Sequence, residues 1–92
     1  MTSEKTWYLY IIKCSDDTLY TGISIDVAKR IKRHNSGHGA KSIKGKLPVL
    51  LVYHEPHESH LSAARREREI KRWKRSQKLK LIEEKYSEPR GI

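Results

Sequence analysis

The chain has 92 residues and a mass of 10.8 kDa, which is enough for one domain and too short for two. It contains a single cysteine, no run of about 20 apolar residues and no signal-peptide pattern at its start. A disulfide-stabilised secreted scaffold, a membrane-spanning protein and a two-domain enzyme are therefore excluded, and a single cytoplasmic domain over 1–92 is expected. Lys and Arg number 20 against 11 Asp and Glu, so the net charge of +9 favours an anionic partner.

The positive charge is concentrated between positions 65 and 80, where nine residues are basic and two are acidic. A solvated charged helix usually mixes its signs, and a membrane-surface helix would also need an exposed apolar face, so nucleic acid is the expected partner. No set of residues in the sequence predicts specific contacts with the edges of DNA bases. Binding is therefore expected to be weakly specific or structure-dependent. The residues that we expect to contact DNA are Lys41, Lys44, Lys46, Arg65, Arg66, Arg68, Lys71, Arg72, Lys74 and Arg75.

The first half of the chain predicts two strands joined by a short turn. Residues 7–12 are β-branched or aromatic and apolar on both alternating faces, which is typical of a central strand. The residues Ser15-Asp16-Asp17 are typical of a turn, and residues 18–25 predict a second strand. A three-residue loop whose last residue is left-handed would place Tyr10 and Tyr20 on the same face of the sheet.

A helix, a loop and a third strand are predicted next. Asp26 is a suitable N-cap for a helix over roughly 27–36, and Gly37 would end it. Residues 37–46 predict a basic loop without periodicity, and residues 48–53 predict a third strand whose initial proline favours an edge position.

The last third of the chain predicts a short polar link over 55–58 and then two helices. Ser59 or Ser62 can cap a helix that runs to about Lys74, and Ser76 can cap another that continues to Tyr86. The order β-β-α-β-α-α predicts an α+β sandwich around a three-stranded, mainly antiparallel sheet. Its folded core is expected over about 5–86, with a frayed tail over 87–92.

Polar side chains occupy positions where a purely structural helix would not need them. His34 falls on the same helical stripe as the apolar Val27 and Ile31, with Arg30 at its border. Glu67 falls on the apolar arc of the next helix, where a carboxylate is costly unless it is paired or holds a metal. Two alternatives remain for Glu67: it pairs with Arg30, or its helix is rotated so that it is exposed.

These residues resemble the motifs of the GIY-YIG nuclease domain. Tyr8-Leu9-Tyr10 and Tyr20-Thr21-Gly22 match the two tripeptides of that family, although the first reads Tyr-Leu-Tyr rather than Gly-Ile-Tyr. The family's arginine lies ten positions beyond the second tyrosine, as Arg30 does, and its histidine lies four positions further, as His34 does. The family's glutamate stands on a later helix, as Glu67 does. The resemblance covers roughly residues 5–82 and is closest to short stand-alone bacterial members.

The resemblance implies a metal-dependent endonuclease that hydrolyses DNA phosphodiester bonds in repair or processing. Glu67 would hold one Mg²⁺ or Mn²⁺ ion, Tyr10 would act as general base, Arg30 would steady the phosphate oxygens, and Tyr20 would position water or substrate. Branched and single-stranded DNA are among the expected substrates. The size of the chain, rather than the resemblance, leaves two alternatives open: weak cleavage, or a protein partner that gives the enzyme direction. The implied catalytic residues are Tyr10, Tyr20, Arg30, His34 and Glu67.

Two other functions remain as alternatives. One is a non-catalytic DNA- or RNA-binding module on the same fold, which would not require Glu67. The other is a zinc site at His54, His57 and His60, although structural zinc usually recruits two or more cysteines, and solvated loop histidines are the simpler interpretation. The lone Cys14 is expected to be a small core residue.

Overall fold

The computed structural model describes residues 5–87, with side chains described up to residue 85. The predicted order of elements is confirmed, and the fold is α+β. From residue 88 onward, the predicted tail lies outside the described residues. The elements are β1 (Trp7–Lys13), β2 (Leu19–Ser24), α1 (Val27–Asn35), a 3₁₀ segment (Lys41–Lys46), β3 (Leu50–His57), α2 (His60–Lys71) and α3 (Arg75–Ser87).

The three strands form one antiparallel sheet in the order β2-β1-β3, so β1 is central, as predicted. Asp17 adopts a positive φ of 70°, which allows the three-residue turn between β1 and β2. The register places Tyr10 opposite Gly22 and Ile12 opposite Tyr20. Since residues 10 and 12 share a face of the strand, the two tyrosines lie on the same side of the sheet, and that prediction is confirmed.

Each face of the sheet carries its own apolar cluster. On one face, Tyr10, Ile12 and Cys14 pack with residues of α1 and of the 3₁₀ segment. On the other, Leu9 and Ile11 pack with Ile70 of α2 and with side chains of α3. The helices therefore enclose the sheet from both sides, with α1 and α2 on opposite faces, and Cys14 is a core residue as expected.

The predicted N-cap residues are confirmed for α1 and α2 but not for α3. The Asp26 carboxylate accepts a hydrogen bond from the Lys29 N–H and caps α1. Of the two candidates for α2, Ser59 is the cap, with its hydroxyl accepting from the Ser62 N–H. Ser76 does not cap the last helix, because that helix begins one residue earlier.

The boundary between α2 and α3 differs from the prediction. α2 ends at Lys71 rather than near Lys74, and a short break separates it from α3. The Gln77 side chain accepts from the Lys74 N–H, which satisfies a backbone donor at the start of α3 without a serine. Among residues 5–87, no helix has the length and apolar character needed to cross a membrane.

β3 is longer than predicted and includes residues that were expected to form a link. It starts at Leu50 and continues through Glu55 to His57. The polar side chains of this extension are satisfied from α2: the Arg66 Nε donates to the Glu55 carboxylate at 2.9 Å, and the Ser62 hydroxyl lies 2.6 Å from the His57 ring. Because these partners come from a distant segment, local polarity alone indicated a loop.

The segment predicted as an irregular loop contains the 3₁₀ segment. Ile43 is its buried residue and joins the cluster beneath α1. At its end, the Lys46 carbonyl accepts from the Ser15 N–H, which ties the segment to the hairpin turn. A single buried isoleucine gives no periodicity, so the sequence could not distinguish this short helix from a loop.

Candidate active site

The centre of the site is a contact between β1 and α1. The Tyr10 hydroxyl lies 3.0 Å from His34 Nε2, and both side chains are buried. On its other side, His34 Nδ1 accepts a hydrogen bond of 3.4 Å from the Ala40 N–H. His34 is therefore held between the strand and the backbone that follows α1.

The hydrogen bonds of His34 define its tautomer. Burial lowers the pKa of His34, and the positive charges of Arg30 and Arg33 lower it further, so the ring is neutral near pH 7. A backbone N–H can only donate, so the Ala40 contact requires an unprotonated Nδ1. The proton is then on Nε2, and we infer that His34 donates its hydrogen bond to the Tyr10 oxygen.

Arg30 lies close enough to the Tyr10 oxygen to influence its pKa. Burial raises the pKa of Tyr10 to about 12, and Tyr20 and Glu67 add to the rise. The charge of Arg30 acts in the opposite direction, toward the phenolate. Arg30 alone therefore does not bring the pKa of Tyr10 below its usual value, because burial outweighs its effect.

Arg30 and Tyr20 connect the buried phenol to the surface. Arg30 is exposed on α1, whereas Tyr20 is half-buried on the edge strand β2. The rings of Tyr20 and His34 meet edge to face at 5.6 Å between centroids. Lys71 Nζ lies 6.0 Å from the centre of the Tyr20 ring, so this tyrosine stands between α1 and α2.

Glu67 approaches the cluster from α2, on the opposite face of the sheet. Its carboxylate forms an ion pair of 3.2 Å with Lys71, and its side chain is 24% exposed. Neither alternative raised from the sequence describes it fully, because it pairs with Lys71 rather than Arg30 and is only half-buried. Its negative charge nevertheless reaches Tyr10, whose pKa it raises.

The residues around Glu67 bear on the kind of metal that would fit. Within residues 5–87, no three His, Cys, Asp or Glu side chains come together as a ligand set. Glu67 offers hard carboxylate oxygens and partial access to solvent. Mg²⁺ and Mn²⁺ accept such ligands, and Mg²⁺ usually keeps several waters, so one hydrated ion at Glu67 fits this donor set.

Two glycines that the sequence did not single out as functional make room for these side chains. A Cβ at Gly22 would lie 2.6 Å from the Tyr10 hydroxyl. A Cβ at Gly39 would lie within 3 Å of the His34 ring and of its Cα. Gly22 belongs to the second tripeptide, so its motif position was visible, but only the folded register reveals that Tyr10 lies across it.

Most of the basic residues assigned to DNA lie at the surface. Lys46 is half-buried and forms an ion pair of 3.7 Å with Asp16. Arg66 differs from the others, because its guanidinium bonds to Glu55 and to Glu69. The exposed members are Lys41, Lys44, Arg65, Arg68, Lys71, Arg72, Lys74 and Arg75.

The three histidines considered for zinc do not gather around a common point. His57 lies between Ser62 and Glu55, 2.7 Å from the carboxylate oxygen. The His60 ring packs edge-on against Trp7 at 4.6 Å, and the His54 ring lies near Tyr8. No ligand set forms among residues 5–87, so the zinc alternative is not supported. His54 and His57 are strand residues rather than loop residues.

The cluster unites a phenol, a histidine that donates to it, a neighbouring arginine and a nearby carboxylate at the edge of a small antiparallel sheet. A family model described as the GIY-YIG catalytic domain matches residues 6–80, which include all five residues of the site. The chain belongs to the GIY-YIG family, which is a family of nucleases.

Within this family, the chain is similar to the short stand-alone bacterial proteins named UPF0213. It is 54% identical over 78 residues to UPF0213 protein SH2523 of Staphylococcus haemolyticus, which covers 85% of this chain and 95% of that protein. The solution NMR structure of UPF0213 protein BH0048 of Bacillus halodurans matches with a TM-score of 0.56 and 41% identity, covering 85% of this chain and 83% of that one. The solution NMR structure of EF2693 from E. faecalis matches with a TM-score of 0.63 and 29% identity, covering 100% and 98%.

Proposed function

We propose that the protein is a divalent-metal-dependent endonuclease that hydrolyses DNA phosphodiester bonds. The observation that carries this proposal is the buried Tyr10 oxygen, which lies 3.0 Å from the His34 ring and within the influence of the Arg30 guanidinium. A phenol oxygen with a hydrogen-bond donor and a cation beside it is prepared to carry negative charge. That is the property required of a tyrosine acting as general base.

The proposed roles follow from the positions of the side chains. Tyr10, in its phenolate form, takes a proton from the attacking water, while His34 and Arg30 stabilise it. Arg30 is exposed and presents its N–H groups to the phosphate oxygens as a planar donor fork. Tyr20 is half-buried, its ring packs against His34 and it raises the pKa of Tyr10, so its proposed role is to position water or substrate.

Glu67 is the proposed metal ligand. GIY-YIG nucleases are generally divalent-metal-dependent, and one Mg²⁺ or Mn²⁺ ion held by Glu67 would supply positive charge next to the phosphate. Lys71 pairs with one oxygen of Glu67 at 3.2 Å, so this lysine competes with an ion for the carboxylate. The contribution of the chain is to hold a single carboxylate beside Tyr10 and to leave it partly open to solvent.

The exposed cations of α2 and of the 3₁₀ segment are the proposed DNA contacts, with Arg66 left out because its guanidinium is engaged within the protein. Contacts of this kind bind phosphates without reading bases. The proposed substrate is therefore DNA recognised by its backbone and shape, in repair or processing. A non-catalytic nucleic-acid-binding module would use the same surface, but it would have no need of the Tyr10 contacts.

The direct test is cleavage of labelled single-stranded, duplex, flapped and branched DNA with Mg²⁺, Mn²⁺ or EDTA. The wild type is compared with Glu67→Gln and with Glu69→Gln, whose carboxylate pairs with Arg66 and faces solvent. Cleavage that requires metal, is lost in Glu67→Gln and is kept in Glu69→Gln supports the proposal. DNA binding without cleavage of any substrate would instead favour the non-catalytic module.

A further inference from the structure

α1 presents three cations on one side, next to the edge strand β2. Lys29 and Arg33 are four residues apart and Arg30 and Arg33 three apart, so all three share a face of the helix. All are exposed, and together they line a cavity with Ser24, the last residue of β2, and with Ile25, which follows it. Lys29, Arg30 and Arg33 are called the α1 stripe below. Only Arg30 was assigned a role from the sequence.

The cavity beside the α1 stripe suits an anionic group. Its volume is about 340 Å³, and its only acidic lining residue is Asp26. One carboxylate oxygen of Asp26 already accepts the Lys29 N–H as the helix cap. Arg33 is held in place by its Nε, which donates to the His38 carbonyl at 3.1 Å and leaves its other N–H groups free to bind. Because three cations and one carboxylate line the cavity, its net charge is positive.

A second row of cations lies next to Glu67, on α2 and at its C-terminal end. Lys71, Arg68 and Arg72 are exposed and follow one another around the helix, away from the buried Ile70. They are called the α2 stripe below. Lys71 contacts the ring of Tyr20, which fixes the near end of the α2 stripe at the β2 edge.

The two stripes come from opposite faces of the sheet, yet both end at β2. Tyr10 and Tyr20 lie between them, with Arg30 at the near end of one and Glu67 at the near end of the other. In an extended polyanion, negative charge continues on both sides of the bond that is cut. A surface with cations on both sides of the reacting groups matches that charge pattern.

We infer that the α1 stripe is a phosphate-binding surface, and that the cut DNA strand crosses the β2 edge from the α1 stripe to the α2 stripe. Lys29 and Arg33 are four residues apart, about 6 Å along the helix axis, so each can contact a different phosphate. This inference rests on the proposed function for the identity of the polymer and for the position of the scissile phosphate. It adds Lys29 and Arg33 as substrate-positioning residues.

The test measures DNA binding in EDTA, so that no cleavage is needed. A labelled flapped DNA is titrated with wild type, Lys29→Gln, Lys29→Gln/Arg33→Gln and Lys80→Gln at several salt concentrations. Lys80 is the matched control, since it is an exposed lysine on α3, the helix that contacts β3 at the opposite edge of the sheet. The slope of log affinity against log salt counts the phosphate contacts.

The inference predicts that Lys29→Gln lowers the magnitude of this slope by about 1 and that the double variant lowers it by about 2, whereas Lys80→Gln leaves it unchanged. Equal binding curves for the double variant and Lys80→Gln would overturn it. The outcome is separate from that of the proposed function. Weaker binding by Lys29→Gln in a protein that never cleaves would keep the binding surface and reject the nuclease, whereas a wild type that binds no DNA would reject both.

Discussion

The phenol ring of Tyr10 lies directly against Gly22 on the neighbouring strand. A Cβ at position 22 would come within 2.6 Å of the Tyr10 hydroxyl and 2.7 Å of Cζ, so that Tyr10 would have to shift. The two residues are also partners in the strand register. The glycine of the second tripeptide therefore has a physical role here, which is to leave room for the phenol beneath His34.

Replacing Gly22 by alanine is expected to displace Tyr10 from His34. Overpacking of this kind costs about 1–3 kcal/mol in the free energy of unfolding, and a misplacement near 1 Å costs about 100-fold in rate. Gly45→Ala is the matched control, because a Cβ there meets nothing within 4 Å. Thermal unfolding and cleavage rates should be measured for both variants below their melting temperatures. Wild-type cleavage by a folded Gly22→Ala variant would contradict the role given to this contact.

The rate of cleavage is expected to rise with pH. Because the pKa of Tyr10 lies at about 12, the phenolate fraction increases tenfold for each pH unit below that value. Single-turnover rates should therefore climb about tenfold per unit between about pH 7.5 and 9, a range above the usual pKa of histidine, and burial lowers the pKa of His34 further. DNA binding in EDTA over the same range is the control. A flat rate profile with constant binding would argue against a tyrosine base.

Removing the charge of Lys71 is expected to strengthen metal binding. Lys71 neutralises Glu67 through the 3.2 Å ion pair, so Lys71→Met releases the carboxylate for a cation. The dissociation constant for Mn²⁺, measured by electron paramagnetic resonance without DNA, should fall by roughly 3- to 10-fold, which corresponds to the free energy of a partly exposed ion pair. Lys74→Met, which changes an exposed lysine beyond the end of α2, should leave it unchanged. Equal affinities in the two variants would show that Lys71 does not compete for the site.

Glu55 is expected to be a major stabilising residue outside the site. Hydrogen bonds from Tyr53, His57 and Arg66 hold the pKa of its carboxyl below the usual value, although burial opposes them. Glu55→Gln should lower the free energy of unfolding by about 2–4 kcal/mol at pH 7, since it breaks a partly buried ion pair that joins β3 to α2. Urea denaturation measures this, with the exposed Glu58→Gln as control.

The pH dependence of that difference has a definite sign. A carboxyl whose pKa is lowered in the folded state stabilises the fold above its unfolded pKa, and the stabilisation is lost as the pH falls through the folded value. The difference in the free energy of unfolding between wild type and Glu55→Gln should therefore be largest near pH 7. It should become smaller as the pH falls below about 4.5. A gap that stays constant down to pH 3 would mean that the charge of Glu55 is not the source of its effect.

Local chemistry in the sequence was sufficient to predict the framework of the fold. The turn ending at Asp17, the cap at Asp26 and the alternation along β1 each depend on neighbours a few residues away, and each prediction is confirmed. The predicted end of β3 was wrong because Glu55 and His57 have hydrogen-bond partners on α2, which local polarity cannot reveal.

The candidate site could be predicted only as a set of residues. Spacing identified Tyr10, Arg30 and His34, because their positions follow from strand and helix periods and from the family motif. The sequence could not show that Glu67 approaches from the opposite face or that Lys71 pairs with it, since both depend on how α2 crosses the edge of the sheet. No role was predicted for Lys29 and Arg33, because only the packing of α1 against β2 places them in one cavity with Ser24 and Ile25.

The central claim is that the Tyr10 oxygen takes part in phosphodiester hydrolysis. It is tested most directly by single-turnover cleavage with saturating Mg²⁺, comparing wild type, Tyr10→Phe and Tyr53→Phe. Tyr53 is a suitable control because it is also buried and its pKa is also raised to about 12, yet its hydroxyl donates to Glu55 instead of facing the site. The account predicts a rate loss of at least about 100-fold for Tyr10→Phe and less than about 3-fold for Tyr53→Phe. Equal rates for the two variants would contradict it.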